Sequence, residues 1–153
     1  MENVKDLARY ILQNHMSNQT CGYEKNVELN ARLHFLQNVH VALTGKKLFE
    51  EDLYAFETAA VVPEIQAVYL SLAEDFTEVE LSEKAFVDNA MEALENIDTR
   101  TVIELSREDS EWENRRCLKN LEDRKMHSVE NDALYRKKYR KYIQYMNKLN
   151  PSY

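Results

Sequence analysis

The chain has 153 residues, 44% of them hydrophobic and 31% charged, with a net charge of −7. That is enough for one domain with its own core, and it excludes a disordered tail. Two Gly and two Pro exclude the turn-rich sandwiches and barrels, and no apolar run approaches the ~20 residues that span a bilayer.

Charge is unevenly spread. Residues 124–153 carry eight Lys/Arg and two Asp/Glu, a local charge of +6, whereas residues 1–123 carry 12 basic and 25 acidic residues, −13. An acidic body with a basic end repels phosphates over most of its surface and offers one segment that can attract an acidic one, its own body included. Cys21 and Cys117 are the two cysteines; they have no metal-type spacing, and reduced thiols in a cytoplasmic protein are expected. Residues from Met1 alternate at helical spacing, so no signal sequence is expected.

In chain order, Val4, Leu7, Ala8, Ile11 and Leu12 predict a helix over about Val4–His15. Ser17–Lys25 is polar and reads as a loop. A second helix, about Val27–Leu43, carries Leu29, Leu33, Leu36, His40 and Leu43 on one face, with Phe35, Val39 and Ala42 beside them. Apolar residues on more than one side predict a central position, and Thr44-Gly45 supplies a stop. Leu53–Val62 is compatible with a short helix or with a small strand pair. Pro63 and Glu64 suit a first helical turn, followed by Ile65, Val68, Tyr69 and Leu72. Ser82 can cap a helix to about Ile97. Asp98 or Thr99 can cap the next, around Val102, Ile103 and Leu105; a further helix is expected over Ser110–Lys125 and a last one over Ser128–Leu149. The expected fold is therefore mostly all-α, a compact single-domain bundle of six or seven helices. Its body is residues 1–125, with a basic, tyrosine-rich C-terminal helix, 126–153, packed on it or projecting from it.

Within Leu33–Tyr69 the chain reads Ala42-Leu43-Thr44-Gly45-Lys46, then Leu48-Phe49, the acidic run Glu50–Asp52, Ala55-Phe56 and Val61-Val62-Pro63-Glu64-Ile65. This order resembles the signature region of the Panacea (SocA-like antitoxin) family, and a weaker similarity continues from Ile103-Glu104-Leu105-Ser106 to Trp112. The chain departs from the family pattern at Ala59-Ala60, Arg107 and Glu111, where the family has Gly-Pro, a histidine and a proline. The resemblance implies an α-helical domain of bacteria and phages that neutralises a partner toxin by direct binding or presents it to a protease.

The residues themselves hold few of the parts of an enzyme. His34 and His40 lie six apart on one helix, face different ways and have no metal-ligand context; His40, on the apolar stripe, is expected to be a core histidine with satisfied ring nitrogens rather than a ligand. His15 and His127 fall near helix ends. Cys21 has no nucleophile motif around it, and Glu50–Asp52 and Glu74-Asp75 read as solvated faces. With only Gly22 and Gly45 there is no phosphate-cradling loop. No catalytic residue, metal or cofactor is expected.

The C-terminal segment stands out. Tyr135, Tyr139, Tyr142, Met146 and Leu149 recur at heptad-like spacing, flanked by Arg136, Lys137, Lys138, Arg140 and Lys141. Either the stripe docks on the acidic body with its basic flanks matching that charge, or it forms a partner or self-association surface, since Tyr and Arg are favoured interface anchors. Nucleic-acid stacking is a third reading, opposed by the net charge. Candidate partner-binding residues are Tyr135, Arg136, Lys137, Tyr139, Arg140, Tyr142 and Trp112, the last also read as a buried anchor against the Val102–Leu105 helix. The expected function is a non-enzymatic, antitoxin-like regulator of a protein partner, a toxin or a host factor. Alternatives are a phage-encoded inhibitor of a host defence protein and a nucleic-acid-associated regulator; a homo-oligomer stays open and no membrane is involved.

Overall fold

A 23-residue helix, α2 (Gly22–Thr44), runs through the middle of the molecule and is buried on nearly every side from Glu28 to Ala42. The structure, a computed structural model, describes residues 1–16 and 22–152. Among these, α1 (Val4–Asn14), β1 (Tyr54–Ala55), β2 (Ala60–Val61), α3 (Pro63–Ala73), α4 (Lys84–Glu92), α5 (Thr99–Arg107), α6 (Ser110–Arg115), α7 (Asp132–Lys138) and α8 (Arg140–Leu149) surround α2. Two short 3₁₀ turns, Leu121–Arg124 and Ser128–Asn131, complete the chain. The mostly α-helical architecture is as expected from the sequence, and of the two alternatives for Leu53–Val62 the chain forms the small strand pair. There are eight α-helices rather than six or seven, chiefly because the C-terminal run breaks in two at Tyr139, whose ψ of 17° leaves the helical range.

Local chemistry explains most boundaries. Asn3 caps α1, its Oδ1 accepting from the Lys5 and Asp6 amides at 3.0 and 3.1 Å; Asp98 caps α5 and Asp109 caps α6 in the same way. Gly45 ends α2 with φ of 74°, a left-handed conformation costly for any residue with a Cβ. Pro63 opens α3, where a missing N–H costs nothing.

Three expected boundaries are corrected. Gly22–Lys25, read as loop, is the first turn of α2, where amides need no intrahelical partner and Glu24 complements the dipole; Ser17–Cys21 lie outside the described residues. Ser82 does not cap α4: its hydroxyl donates instead to the Glu2 carboxylate, and Glu83 occupies the cap position without a side-chain bond. The helix expected over Ser110–Lys125 stops at Arg115. Beyond it the chain turns so that the Met126 amide donates to the Leu53 carbonyl at 2.8 Å, while the Glu111 carboxylate accepts from the His127 amide at 2.9 Å. A third short extended stretch thus flanks β1.

Polar side chains of α2 hold the surrounding segments in place. Gln37 reads the backbone of the irregular segment after α2: its Oε1 accepts from the Leu48 amide at 2.7 Å, and its amide nitrogen donates to the Phe49 carbonyl at 2.9 Å. Glu2 then pairs with this segment, its amide on the Leu48 carbonyl at 2.8 Å. Asn30 accepts from the Val62 amide at 2.8 Å, which fixes β2 and the start of α3. Replacing Gln37 by Leu keeps the volume and strands buried backbone groups at Leu48 and Phe49. Equilibrium urea unfolding is expected to show a loss of about 2–4 kcal/mol, from the ~1–3 kcal/mol cost of each unsatisfied buried group.

Candidate functional site

The largest polar assembly in the interior centres on Asp109. Its Oδ1 accepts from the Glu111 amide at 2.9 Å and so caps α6. Its Oδ2 accepts from His34 Nε2 at 2.9 Å and from the Tyr135 hydroxyl at 3.0 Å, with the Asn38 amide at a long 3.4 Å. Asn38 also donates to the Tyr139 hydroxyl at 3.1 Å. On the far side of the imidazole, Ser106 Oγ lies 2.7 Å from His34 Nδ1. A carboxylate only accepts, so Nε2 carries the shared proton; the serine hydroxyl donates to Nδ1 when the ring is neutral and accepts from it when the ring is protonated. His34, Ser106 and Asp109 are 0%, 3% and 1% exposed.

Electrostatics follow from that burial. Burial pushes the Asp109 carboxyl upward, but the His34 bond and charge, the nearby Lys138 ammonium and the Tyr135 hydroxyl outweigh it and hold Asp109 well below the usual carboxylate range. Burial, together with the Asp109 charge, pushes the Tyr135 phenol far up, and burial does the same to Tyr139. Lys138 is lowered by burial against the attraction of Asp109 and Glu108. Its Nζ is buried without a hydrogen bond and sits 5.2 Å from the Tyr139 ring centre.

Ser106, His34 and Asp109 have the bond order of a nucleophilic serine relay. The surroundings give it another role. A nucleophile must reach an acyl carbon brought from solvent, and Ser106 is closed off inside the α2–α5 contact. The group joins α2, α5, α6 and α7 through one carboxylate.

The seven residues singled out from the sequence divide by direction. Tyr135 and Tyr139 point inward and are fully buried. Tyr142 is half-buried, its ring edge-on to Phe35 at 5.4 Å. Trp112 is buried as well: its indole N–H donates to the Phe56 carbonyl at 2.8 Å and Arg116 lies over the ring. Tyr135, Tyr139 and Trp112 therefore cannot form an exposed partner surface; they are core anchors. Arg136, Lys137 and Arg140 are exposed, as is Lys141. None of these four cations makes an ion pair among the described residues; the one ion-paired cation of the C-terminal segment is Lys125, bonded to Asp52 and Glu122. The stripe docks, then, but through the tyrosine hydroxyls and rings rather than through basic flanks matched to the body.

Sequence reasoning left out Asn38, Ser106 and Asp109. Asp109-Ser110 ahead of an acidic first turn is a readable cap signal, but the carboxylate's second oxygen and its partners are set by tertiary packing. The core-histidine expectation holds for His40, whose Nδ1 faces the Lys46 carbonyl at 2.7 Å and Nε2 the Glu83 carboxylate at 2.9 Å; His34 is buried as well. His15 binds Asp88, which also accepts from Tyr10 and Lys84. That cluster borders an open cleft of about 620 Å³ edged by Arg32, Glu92 and Glu95. Among the described residues no group of three or more His, Cys, Asp or Glu is placed to hold a metal ion, and no helix is long and apolar enough to cross a membrane.

Asp109→Asn keeps the shape and removes the charge that faces His34. A loss of about 3–5 kcal/mol at pH 7 is expected, the cost of breaking a buried pair, and Tyr135→Phe should lose about 1.5–3 kcal/mol for a bond to a charged group. Because the folded Asp109 pKa lies below the unfolded one, ~3.9, its contribution is complete above that value and drains as pH falls. Urea unfolding of wild type and Asp109→Asn between pH 7 and 2 should therefore show the gap closing toward the acid end.

Comparison of the chain with protein-family models, with curated proteins and with solved structures finds no match in any of the three.

Proposed function

We propose that this chain is a non-enzymatic regulator that works by binding another protein, in the manner of an antitoxin, and that the outer face of α7 and α8 is the surface that engages the partner. The observation that carries this reading is a set of four adjacent exposed cations, Arg136, Lys137, Arg140 and Lys141, with no ion pair among the described residues. Residues 133–152 contain no acidic residue at all. Exposed Leu134 and Leu149 lie on the same two helices. A charged surface left unpaired on an otherwise acidic protein steers an acidic partner and discriminates against basic ones. The Leu33–Tyr69 resemblance to the Panacea family points the same way, toward occlusion of a toxin or its delivery to a protease. A host defence factor of acidic surface would be bound by the same face.

The stripe's buried tyrosines decide how the proposal must be tested. Cutting the chain before α7 would remove Tyr135 and Tyr139 from the core, so truncation would report folding rather than binding. Charge reversal at the four exposed cations leaves the interior intact. Affinity capture from the native cells should recover a stoichiometric protein partner with the wild-type chain, and the Arg136→Glu/Lys137→Glu/Arg140→Glu/Lys141→Glu variant should bind it about 100-fold more weakly, like charges across an interface costing several kcal/mol. Capture unchanged by the reversal would sink the assignment of the face. Recovery of nucleic acid, with a steep salt dependence, would replace the protein-partner reading by the nucleic-acid one.

A further inference from the structure

On another side of the molecule the surface has the opposite character. Between the first turns of α2 and the outer side of α3 lies an open groove of about 570 Å³, walled by Tyr23, Asn26, Ala67, Tyr69 and Leu70. Asn26 donates to the Gln66 carbonyl at 3.2 Å and ties the two walls together. Tyr23 and Leu70 are 70% and 69% exposed, and Phe76 beyond the end of α3 is 83% exposed. Two large apolar side chains standing this far into water on the two walls of one groove mark an interaction surface rather than scattered exposure. Around them the charge is mainly acidic, Lys25 being nearly buried and Arg9 held by Asp6 and Asp75. Residues 48–83 contain ten Asp/Glu and no Lys or Arg. Glu64, Ala67, Ser71 and Glu74 share one exposed stripe of α3 by their spacing of three and four, and Glu24 follows Tyr23 on α2. Glu24, Glu64 and Glu74 make no ion pair among the described residues.

The exposed side of α8 is the complement of this groove. Arg140, Lys141, Gln144, Tyr145, Lys148 and Leu149 recur at spacings of one and three, a single helical face with three cations and two large apolar residues. Tyr145 and Leu149 are four apart, the spacing with which a helix seats anchors in a groove. Among the described residues the one hydrogen bond from this face to its own body is long, 3.4 Å, from the Tyr145 hydroxyl to Glu92. Within one molecule the two surfaces are held apart: α8 packs on α4 and α7, whereas α3 packs on α1 and α2.

We propose that the α8 face of one copy docks in the α2–α3 groove of a second copy, so that the chain associates head to tail with itself. Tyr145 and Leu149 enter beside Tyr23, Ala67 and Leu70, and Arg140, Lys141 and Lys148 meet the Glu24, Glu64 and Glu74 carboxylates. Charge complementarity between two open faces of the same chain selects a second copy as the occupant, since like faces would repel and a phosphate or membrane surface would meet carboxylates. Because the two faces differ, the contact is heterologous and each added copy exposes a fresh groove and a fresh helix. The proposal rests on the α8 face being a binding surface, and it adds the receiving site.

Sedimentation velocity on the full chain tests it, with circular dichroism confirming the fold of each variant. Mean mass should rise with concentration at low salt and fall back toward one copy at high salt. Leu70→Arg blocks the groove and leaves α8 free; Lys141→Glu/Leu149→Glu blocks α8 and leaves the groove free. Each alone should remain monomeric, and an equimolar mixture of the two should form a 1:1 dimer that grows no further. Ala67→Arg is a second groove variant at an exposed helical position should Leu70→Arg unfold. A wild-type chain that stays monomeric at every concentration, variants that associate as the wild type does, or a mixture that remains monomeric would each overturn the proposal. A monomeric wild type that still captures a foreign protein through Arg136–Lys141 would remove self-association alone, whereas association without such capture would remove the regulator reading alone.

Discussion

Everything in this fold is arranged around the burial of α2 from Glu28 to Ala42. A helix surrounded on all sides cannot leave polar side chains in water, and α2 carries Glu28, Asn30, Arg32, His34, Gln37, Asn38 and His40 in its buried stretch. Each must find a partner in a neighbouring segment or cost the desolvation of a polar group. The partners found lie in segments without regular structure and on or beside neighbouring helices. Gln37 takes the backbone after the helix, Asn30 the end of β2, His40 the turn at Lys46 and the Glu83 carboxylate, and Glu28 the Thr99 hydroxyl at 2.5 Å while binding Arg32. The polar residues of the central helix thus act as ties that set where the loops run, and this is how a chain with so few Gly and Pro builds tight turns at all.

The C-terminal helices are held by the same means. Tyr135 and Tyr139 bring hydroxyls to Asp109 and Asn38, while Phe35 receives the edges of Tyr139 and Tyr142. A straight helix from Ser128 to Leu149 would put its tyrosine stripe along one line. The break at Tyr139 turns α8 onto α4 instead, so that Met146 reaches the core. The cost is an ammonium, Lys138, caught beside the break with no hydrogen bond and only ring and carboxylate fields for company. The cations on the other side of both helices, Arg136, Lys137, Arg140 and Lys141, stay exposed.

Much of this was legible from residue patterns. Stripes such as Val4-Leu7-Ile11 and Ile65-Tyr69-Leu72 are buried as their spacing implies, and Gly45, Pro63 and Asp98 mark the ends they were expected to mark, because a left-handed φ, a missing N–H and a capping carboxylate act within one turn of chain. Less legible were features that need two distant segments. Ser82 has the chemistry of a cap but spends its hydroxyl on Glu2, eighty positions away. Trp112 and the tyrosines have the chemistry of interface anchors and spend it on the interior, since a large amphipathic ring is equally good at either task.

Composition and periodicity alone determined that the chain is a mostly helical domain, that its second helix is central and that its basic charge is gathered at the C-terminal end, because these depend on counts and on a 3.6-residue repeat that each segment carries by itself. Only the tertiary structure decided that Ser106, His34 and Asp109 meet in the interior, that Tyr135 and Tyr139 face inward while Arg136, Lys137, Arg140 and Lys141 face outward, and that a groove opens between α2 and α3. Those facts depend on which oxygen or nitrogen arrives opposite which, across separations of up to a hundred residues, and no local pattern records an encounter that the packing of the whole chain creates.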